Sequence, residues 1–139
     1  MPKFRLDRVK EVKEKLLDDK RAEMENCLTE IDKITTDISM MDYNINVNYE
    51  SITVTTLNGN DYYVLKEHII HLEGKKCELI GQRQNLRSAA DSLRSQLVEL
   101  LKEIKMLEIL KSKALRTIKK SENKREQKIL DELALRLND

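Results

Sequence analysis

The sequence predicts an all-α fold: a long antiparallel two-helix coiled coil (a helical hairpin) with an overhanging C-terminal helix. Three observations support this prediction. Charged residues make up 37% of the 139 residues and aromatic residues only 4%, so the side chains that usually fill a globular core are scarce. One Pro and three Gly are the only strong helix breakers. The apolar residues recur at alternating steps of three and four, which is the period of a coiled coil.

The first helix is predicted over about residues 3–54. We use the term seam for the stripe of positions on each helix that faces the other helix. In the first helix its apolar members are Met24, Cys27, Ile31, Ile34, Ile38, Met41 and Ile45. Four residues are expected to extend it toward the N-terminus, with a shift in register near Leu17: Phe4, Val9, Val12 and Leu16. Pro2 suits the first turn of this helix.

A break in the helix is predicted at about residues 55–60. β-Branched residues before this point lower helix propensity, and the Asn-Gly pair within it favours a left-handed turn. Asn60 or Asp61 is then the expected N-cap of a second helix over about residues 61–137. The apolar seam residues of that helix are Leu65, Ile69, Leu72, Leu79, Leu86, Ala90, Leu93, Leu97, Leu100, Ile104 and Leu107.

The second helix is longer than the first, so its last part has no partner in the predicted hairpin. Folding the chain about residue 58 or 59 places residue i roughly beside residue 117 − i. Pairing then ends near residue 112, and about 25 residues project for about 40 Å. Beyond Ile118 the apolar stripe weakens, and it returns at Ile129, Leu130, Leu133 and Leu137. We expect one hairpin domain over residues 1–139, with surface left over for another protein.

Acidic and basic residues nearly cancel, 25 against 26, but they are unevenly distributed. Residues 22–73 hold two basic and ten acidic side chains, whereas residues 111–139 hold nine basic and five acidic ones. The basic residues are densest between Lys111 and Lys128. Three interpretations of this block stay open: a solvated helix face, a docking site for an acidic protein surface, and a site for nucleic acid or an anionic membrane. The absence of aromatic residues from the block disfavours the last interpretation.

The sequence offers little that would support catalysis or metal binding. His68 and His71 are spaced to share a helix face, with Glu67 and Glu73 nearby. A zinc site needs three or four converging ligands, so we expect neither a metal nor a cofactor. There is no glycine-rich phosphate loop, and a two-helix fold encloses no pocket in which water could be excluded. We therefore do not expect an enzyme.

Three further groups of residues are of interest. Cys27 and Cys77 are expected to be free, buried thiols of a cytosolic chain with no signal peptide and no membrane span. Gly74 and Gly81 are one heptad apart, so they share a face off the seam, where a partner could approach closely or where glycine is merely tolerated. All four tyrosines lie around the turn: Tyr43, Tyr49, Tyr62 and Tyr63. They either contact a partner, or some of them pack into the seam near the turn.

Residues near both ends of the chain carry a likeness to a known family. The N-terminal motif is Phe4-Arg5-Leu6-x-x-Val9-x-x-Val12. The C-terminal motif begins Leu107-x-x-Leu110-Lys111 and continues as Lys124-Arg125-Glu126-Gln127-Lys128-x-x-Asp131-Glu132-Leu133-Ala134-x-Arg136. Together with the long hairpin, these motifs resemble the FliJ family of flagellar export proteins, and the resemblance spans nearly the whole chain.

The resemblance implies a soluble, non-enzymatic component of the flagellar type III export apparatus, similar to the γ subunit of rotary ATPases. It implies three kinds of partner: the export ATPase FliI, which the protein would help assemble into a hexameric ring, the export gate protein FlhA, and export chaperones. Nucleic acid is not among the implied partners. The implied location is the cytoplasm, at the cytoplasmic face of the inner membrane through those partners.

Candidate contact residues follow from the same resemblance. For the ATPase they are the basic face and terminal apolar residues of the second helix: Lys113, Arg116, Lys120, Lys124, Ile129 and Leu133. The gate-binding face of the family implies Tyr49 and Leu72, with His68 where the family has an aromatic residue. Two alternatives stay open: the stalk of a virulence type III secretion system, and a generic coiled-coil scaffold or nucleic-acid-associated protein. The acidic segment 22–73 disfavours nucleic-acid binding.

Overall fold

The computed structural model describes residues 5–54 and 58–138. These residues form two helices, α1 (Arg5–Val54) and α2 (Gly59–Asn138), and no strand occurs among them. The chain divides into two compact units, and in each unit α1 and α2 pack antiparallel. The predicted all-α helical hairpin is therefore confirmed. Pro2, Phe4 and residues 55–57 of the predicted turn lie outside the described residues.

One unit, which we call the turn unit, consists of Asp19–Leu97. The apolar residues predicted for its seam are buried or half-buried along both helices. Ile45, Ile69 and Leu72 form a buried cluster, against which Met41 and Ile52 pack. This apolar seam is what holds the two helices together, because each buried aliphatic side chain contributes about 1.5–3 kcal/mol through loss of contact with water.

Basic residues fill two gaps in the apolar seam of α2 in the turn unit. Lys76 and Arg83 are half-buried at positions between the predicted apolar residues. Lys76 forms an ion pair with Asp42, and Arg83 Nη1 donates a hydrogen bond to Thr35 Oγ1 at 3.5 Å. Both pairs lie within one residue of the predicted register, in which residue i faces residue 117 − i.

The other unit, which we call the end unit, consists of Met1–Asp18 and Val98–Asp139. Leu17, Leu100 and Ile104 are its buried core. Toward the start of α1, ion pairs largely replace apolar contacts between the two helices. Their lengths are 2.9, 3.4 and 2.6 Å for Asp7–Lys111, Lys10–Glu108 and Lys13–Glu103.

The predicted extension of the seam toward the N-terminus is wrong for three residues that face solvent: Val9, Val12 and Leu16. The seam positions in these first turns of α1 are instead Leu6, Lys10, Lys13 and Leu17, and Asp7 beside them is also half-buried. Their spacing continues the alternation of three and four without the predicted shift in register. The two lysines can occupy seam positions because their ammonium groups reach glutamates on α2 while their aliphatic stems cover the seam.

The start of α2 also differs from the prediction. Asn58 caps the helix: its Oδ1 accepts a hydrogen bond from the Asp61 backbone N–H at 2.8 Å, and its carbonyl accepts one from Tyr62 N–H at 3.0 Å. Asn60 and Asp61, the predicted caps, therefore lie within the first turn, and Asp61 suits it because a carboxylate is favourable at a helix N-terminus. No described residue has a positive φ, so the Asn-Gly pair does not form a left-handed turn there.

The last turns of α2 are unpaired within the described part of the chain. Ala114 is half-buried, whereas every residue from 115 to 138 is exposed. We call residues 115–138 the overhang. At 1.5 Å per residue, its length is about 36 Å, close to the projection predicted from the sequence.

Candidate protein-binding sites

Four basic residues predicted to contact the ATPase lie on one face of α2, at the base of the overhang and along it. Steps of three, four and four residues bring them together: Lys113, Arg116, Lys120 and Lys124. All four are exposed, and none of them forms an ion pair with a described residue. Their positive charge is therefore uncompensated and is suited to an acidic protein surface.

The apolar residues predicted for the same partner lie on the opposite side of the overhang. Ile129 and Leu133 are one turn apart and are both exposed. They share their side of the helix with Leu115 and Ile118, which are also exposed. On this side, which we call the apolar side, Glu122 and Glu126 separate the pair Leu115 and Ile118 from the pair Ile129 and Leu133. The overhang can therefore contact a partner through a basic side and, opposite it, through two apolar patches.

The three residues predicted to contact the gate do not form one surface. Leu72 is only 9% exposed, because it packs against Ile45 and Ile69 in the cluster of the turn unit. Its side chain is therefore not available to a partner in this structure. His68 is exposed, and it lies about 140° around α2 from Glu73, the residue that Tyr49 contacts. Tyr49 and His68 consequently flank the seam on opposite sides.

The Tyr49 hydroxyl is oriented by a contact with α2. It donates a hydrogen bond to Glu73 Oε1 at 3.1 Å. This hydrogen bond, together with the negative charge of Glu73, raises the pKa of Tyr49 above its ordinary value of 10.0. The ring remains exposed while the hydroxyl is held, so Tyr49 presents an ordered aromatic surface on its side of the seam.

Two shallow grooves lie along the side of the turn unit that carries His68. One is lined by His68, Asp61, Val64 and Leu65. The other includes Met40 and Lys75, and Lys75 is one heptad from His68 on the same face of α2. Sequence reasoning missed Val64 and Met40 because they are single apolar residues off the seam. The feature of the sequence that could have identified them is their heptad position, which is next to the apolar stripe rather than in it.

All four tyrosines are exposed: Tyr43, Tyr49, Tyr62 and Tyr63. The interpretation that some of their rings pack into the seam is therefore wrong. The other interpretation, that the tyrosines contact a partner, stays a prediction. Lys66 Nζ lies 5.9 Å from the centre of the Tyr62 ring, within the range of a cation–π contact. Aromatic rings with this exposure are typical of protein interfaces.

The cysteines have different environments. Both are free, and Cys27 is buried, with its Sγ donating to the Leu86 carbonyl at 3.1 Å. Cys77 is exposed, contrary to expectation, because it follows the seam position of Lys76 and so points away from α1. Among the described residues, no group of three or more His, Cys, Asp or Glu side chains could hold a metal ion.

Gly74 and Gly81 lie on the side of α2 that faces away from α1, as predicted from their heptad spacing. A Cβ atom built at either position would meet no atom within 4 Å. No contact within the described chain therefore requires glycine at these positions. Neither helix, over its described residues, combines the length and the apolar character needed to cross a membrane.

Comparison with known proteins gives one match. The family model described as "Flagellar FliJ protein" matches residues 2–138 of the 139. No curated protein matches the chain, and no solved structure matches it. The matched range includes both terminal motifs, α1, α2 and all of the candidate contact residues.

Proposed function

Because the chain belongs to the FliJ family of flagellar type III export proteins, we propose that it is a non-enzymatic stalk and adaptor. In this role it promotes assembly of the export ATPase FliI into a hexameric ring and couples that ring to the export gate protein FlhA. It also binds export chaperones. It works in the cytoplasm, at the cytoplasmic face of the inner membrane, through these partners.

The overhang is the observation that carries the proposal. Residues 115–138 are exposed on every side, with basic residues on one side and apolar residues on the other. A helix of this kind can enter a ring and touch different subunits with its two sides. The basic side supplies attraction to acidic surface, and the apolar side supplies area that becomes buried on binding.

The turn unit supplies the candidate gate contacts. Tyr49 and His68 offer two separate exposed patches, one on each side of the seam. Leu72 supports both patches from inside the unit, because it belongs to the buried cluster on which the two helices pack. The gate therefore contacts one flank, or reaches around the turn unit to contact both.

The test of the ATPase role is the rate of ATP hydrolysis by FliI and the extent of its ring assembly, with and without the protein. We expect stimulation by the full chain, and at least a tenfold loss of affinity, about 1.4 kcal/mol, when the basic face is reversed in sign. The variant carries Lys113→Glu, Arg116→Glu, Lys120→Glu and Lys124→Glu.

A matched control reverses four exposed basic residues of the turn unit, which lie away from that face: Lys33→Glu, Lys66→Glu, Lys75→Glu and Arg87→Glu. This control has the same change in net charge and should retain most of the stimulation. If both variants lose stimulation equally, net charge rather than the basic face is responsible. A full chain that neither binds FliI nor changes its hydrolysis rate contradicts the proposed role.

A further inference from the structure

A second apolar surface lies on the end unit, away from the overhang. On α1 it consists of the three residues that the seam excludes, Val9, Val12 and Leu16, which are 42%, 68% and 42% exposed. On α2 it consists of Met106 and Leu110, which are 63% and 46% exposed. We call these five residues the outer apolar face. Nothing in the proposed function uses them.

The ion pair between Lys13 and Glu103 shows that the two parts lie on the same side of the unit. Val9 and Leu16 are four and three residues from Lys13, on the flank where Lys13 reaches Glu103 at 2.6 Å. Met106 and Leu110 are three and seven residues from Glu103, on the corresponding flank of α2. The antiparallel register places Val12 level with Met106 and Val9 level with Leu110.

Exposed charged residues lie at both ends of the outer apolar face, each seven residues from Met106 or Val12. On α2, Glu99 lies seven residues before Met106 and Lys113 lies seven residues after it. On α1, Arg5 lies seven residues before Val12, at the same end as Lys113. Glu99 has only a 3.7 Å surface ion pair with Lys102. The face is therefore basic at one end and acidic at the other, and its middle is apolar beside the Lys13–Glu103 ion pair.

We propose that this face binds a second copy of the chain about a two-fold axis near Val12 and Met106. A surface with opposite charges at its two ends is complementary to itself after a two-fold rotation. Arg5 and Lys113 of one copy then meet Glu99 of the other, and the same pairing occurs at the far end. The five apolar residues of each copy become buried between the two end units.

The face is small for a protein interface. Stable protein interfaces bury about 800 Å² and involve about 20–30 residues on each partner. The outer apolar face with its three charged residues is much smaller than that. An interface of this size is typical of weak, reversible association, so we expect the dimer to form only at high protein concentration. Lys113 also belongs to the basic face, so dimer formation and ATPase binding compete for this side chain.

Sedimentation equilibrium of the full chain over a range of concentrations tests the proposal. The expected result is a monomer–dimer equilibrium that Val12→Glu weakens at least tenfold, because it buries a charge at the centre of the interface. The matched control is Val64→Glu, at a residue of the turn unit that is 61% exposed. This control should leave the equilibrium unchanged, and circular dichroism should show that both variants remain helical.

A charge exchange tests the two-fold geometry. Glu99→Lys alone should weaken the dimer, because the new positive charge at position 99 faces Arg5 and Lys113 of the other copy. Adding Lys113→Glu should restore most of the affinity, because positions 99 and 113 meet across the two-fold axis. A chain that stays monomeric at every concentration overturns the proposal, as does equal weakening by Val12→Glu and Val64→Glu. Loss of the dimer on Ile129→Glu but not on Val12→Glu would assign the interface to the overhang instead.

Discussion

Ile69 and Ile70 show how strongly one position along α2 changes the environment of the same side chain. Ile69 is 2% exposed and belongs to the buried cluster of the turn unit, whereas Ile70 is 52% exposed. Ile69→Ala should lower the free energy of unfolding by about 2–4 kcal/mol, because it removes buried methyl groups and leaves a cavity. Ile70→Ala should change it by less than about 0.5 kcal/mol.

Urea unfolding followed by circular dichroism measures both variants, and each serves as the control for the other. Their helix propensities change by the same amount, so the difference between them reports burial alone. Equal losses for the two variants would mean that the cluster around Ile69 does not stabilise the pairing of α1 with α2.

Lysines in the seam explain why the sequence predicted the first turns of α1 poorly. The prediction followed apolar residue types and selected Val9 and Val12. The structure uses Lys10 and Lys13 instead, because acidic residues on α2 satisfy their charges. Continuing the alternation of three and four back from Leu17 would have found these positions, but residue type alone could not.

At the scale of the helix, the start of α2 depends on a single side chain. Asn58→Ala should lower the free energy of unfolding by about 1 kcal/mol, because Asn58 Oδ1 is the acceptor for the Asp61 N–H. The matched substitution Asn60→Ala lies in the first turn and should be neutral or slightly stabilising, because Ala has the higher helix propensity.

Thermal or urea unfolding of these two variants distinguishes the observed cap from the one predicted by sequence. A larger loss of stability for Asn60→Ala than for Asn58→Ala would indicate that Asn60 is the N-cap and would contradict the structure. The sequence could not choose between neighbouring Asn and Asp residues, because each of them is a good N-cap and only the backbone geometry decides which one is used.

The helices themselves were predictable because their signal is repeated many times. The predicted range of about 3–54 compares with Arg5–Val54 for α1, and that of about 61–137 with Gly59–Asn138 for α2. The four-residue basic face was also predictable, since spacing along one helix determines it. The proposed gate surface was less predictable, because Leu72 was both a predicted seam residue and a predicted contact residue, and its side chain is buried in the seam.

For the molecule as a whole, three raised pKa values predict loss of stability at alkaline pH. The hydrogen bond from Lys10 to Glu108 and that from Lys76 to Asp42 raise the pKa of each lysine above 10.5. The hydrogen bond to Glu73 raises the pKa of Tyr49 above 10.0. Each group holds its proton more tightly in the folded state than in the unfolded state.

Their stabilising contributions are therefore fully present below about pH 10 and disappear as the pH rises through the folded-state pKa values. The urea concentration at the unfolding midpoint should fall above pH 10.5. Asp42→Asn should reduce the size of this fall, because the pKa of Lys76 then returns toward its ordinary value. A midpoint that increases with pH in this range would give the opposite sign and contradict the assignment.

The unpaired turns of the overhang connect folding to recognition. The overhang has no tertiary contacts within the described chain, so its order in the free protein comes from local helix propensity and from continuity with the paired turns of α2. When a partner binds the overhang, any turn that was unwound in the free protein becomes ordered, and the loss of conformational entropy weakens binding. Affinity therefore depends on preorganisation, and residues of the overhang that never touch the partner contribute to binding simply by being good helix formers.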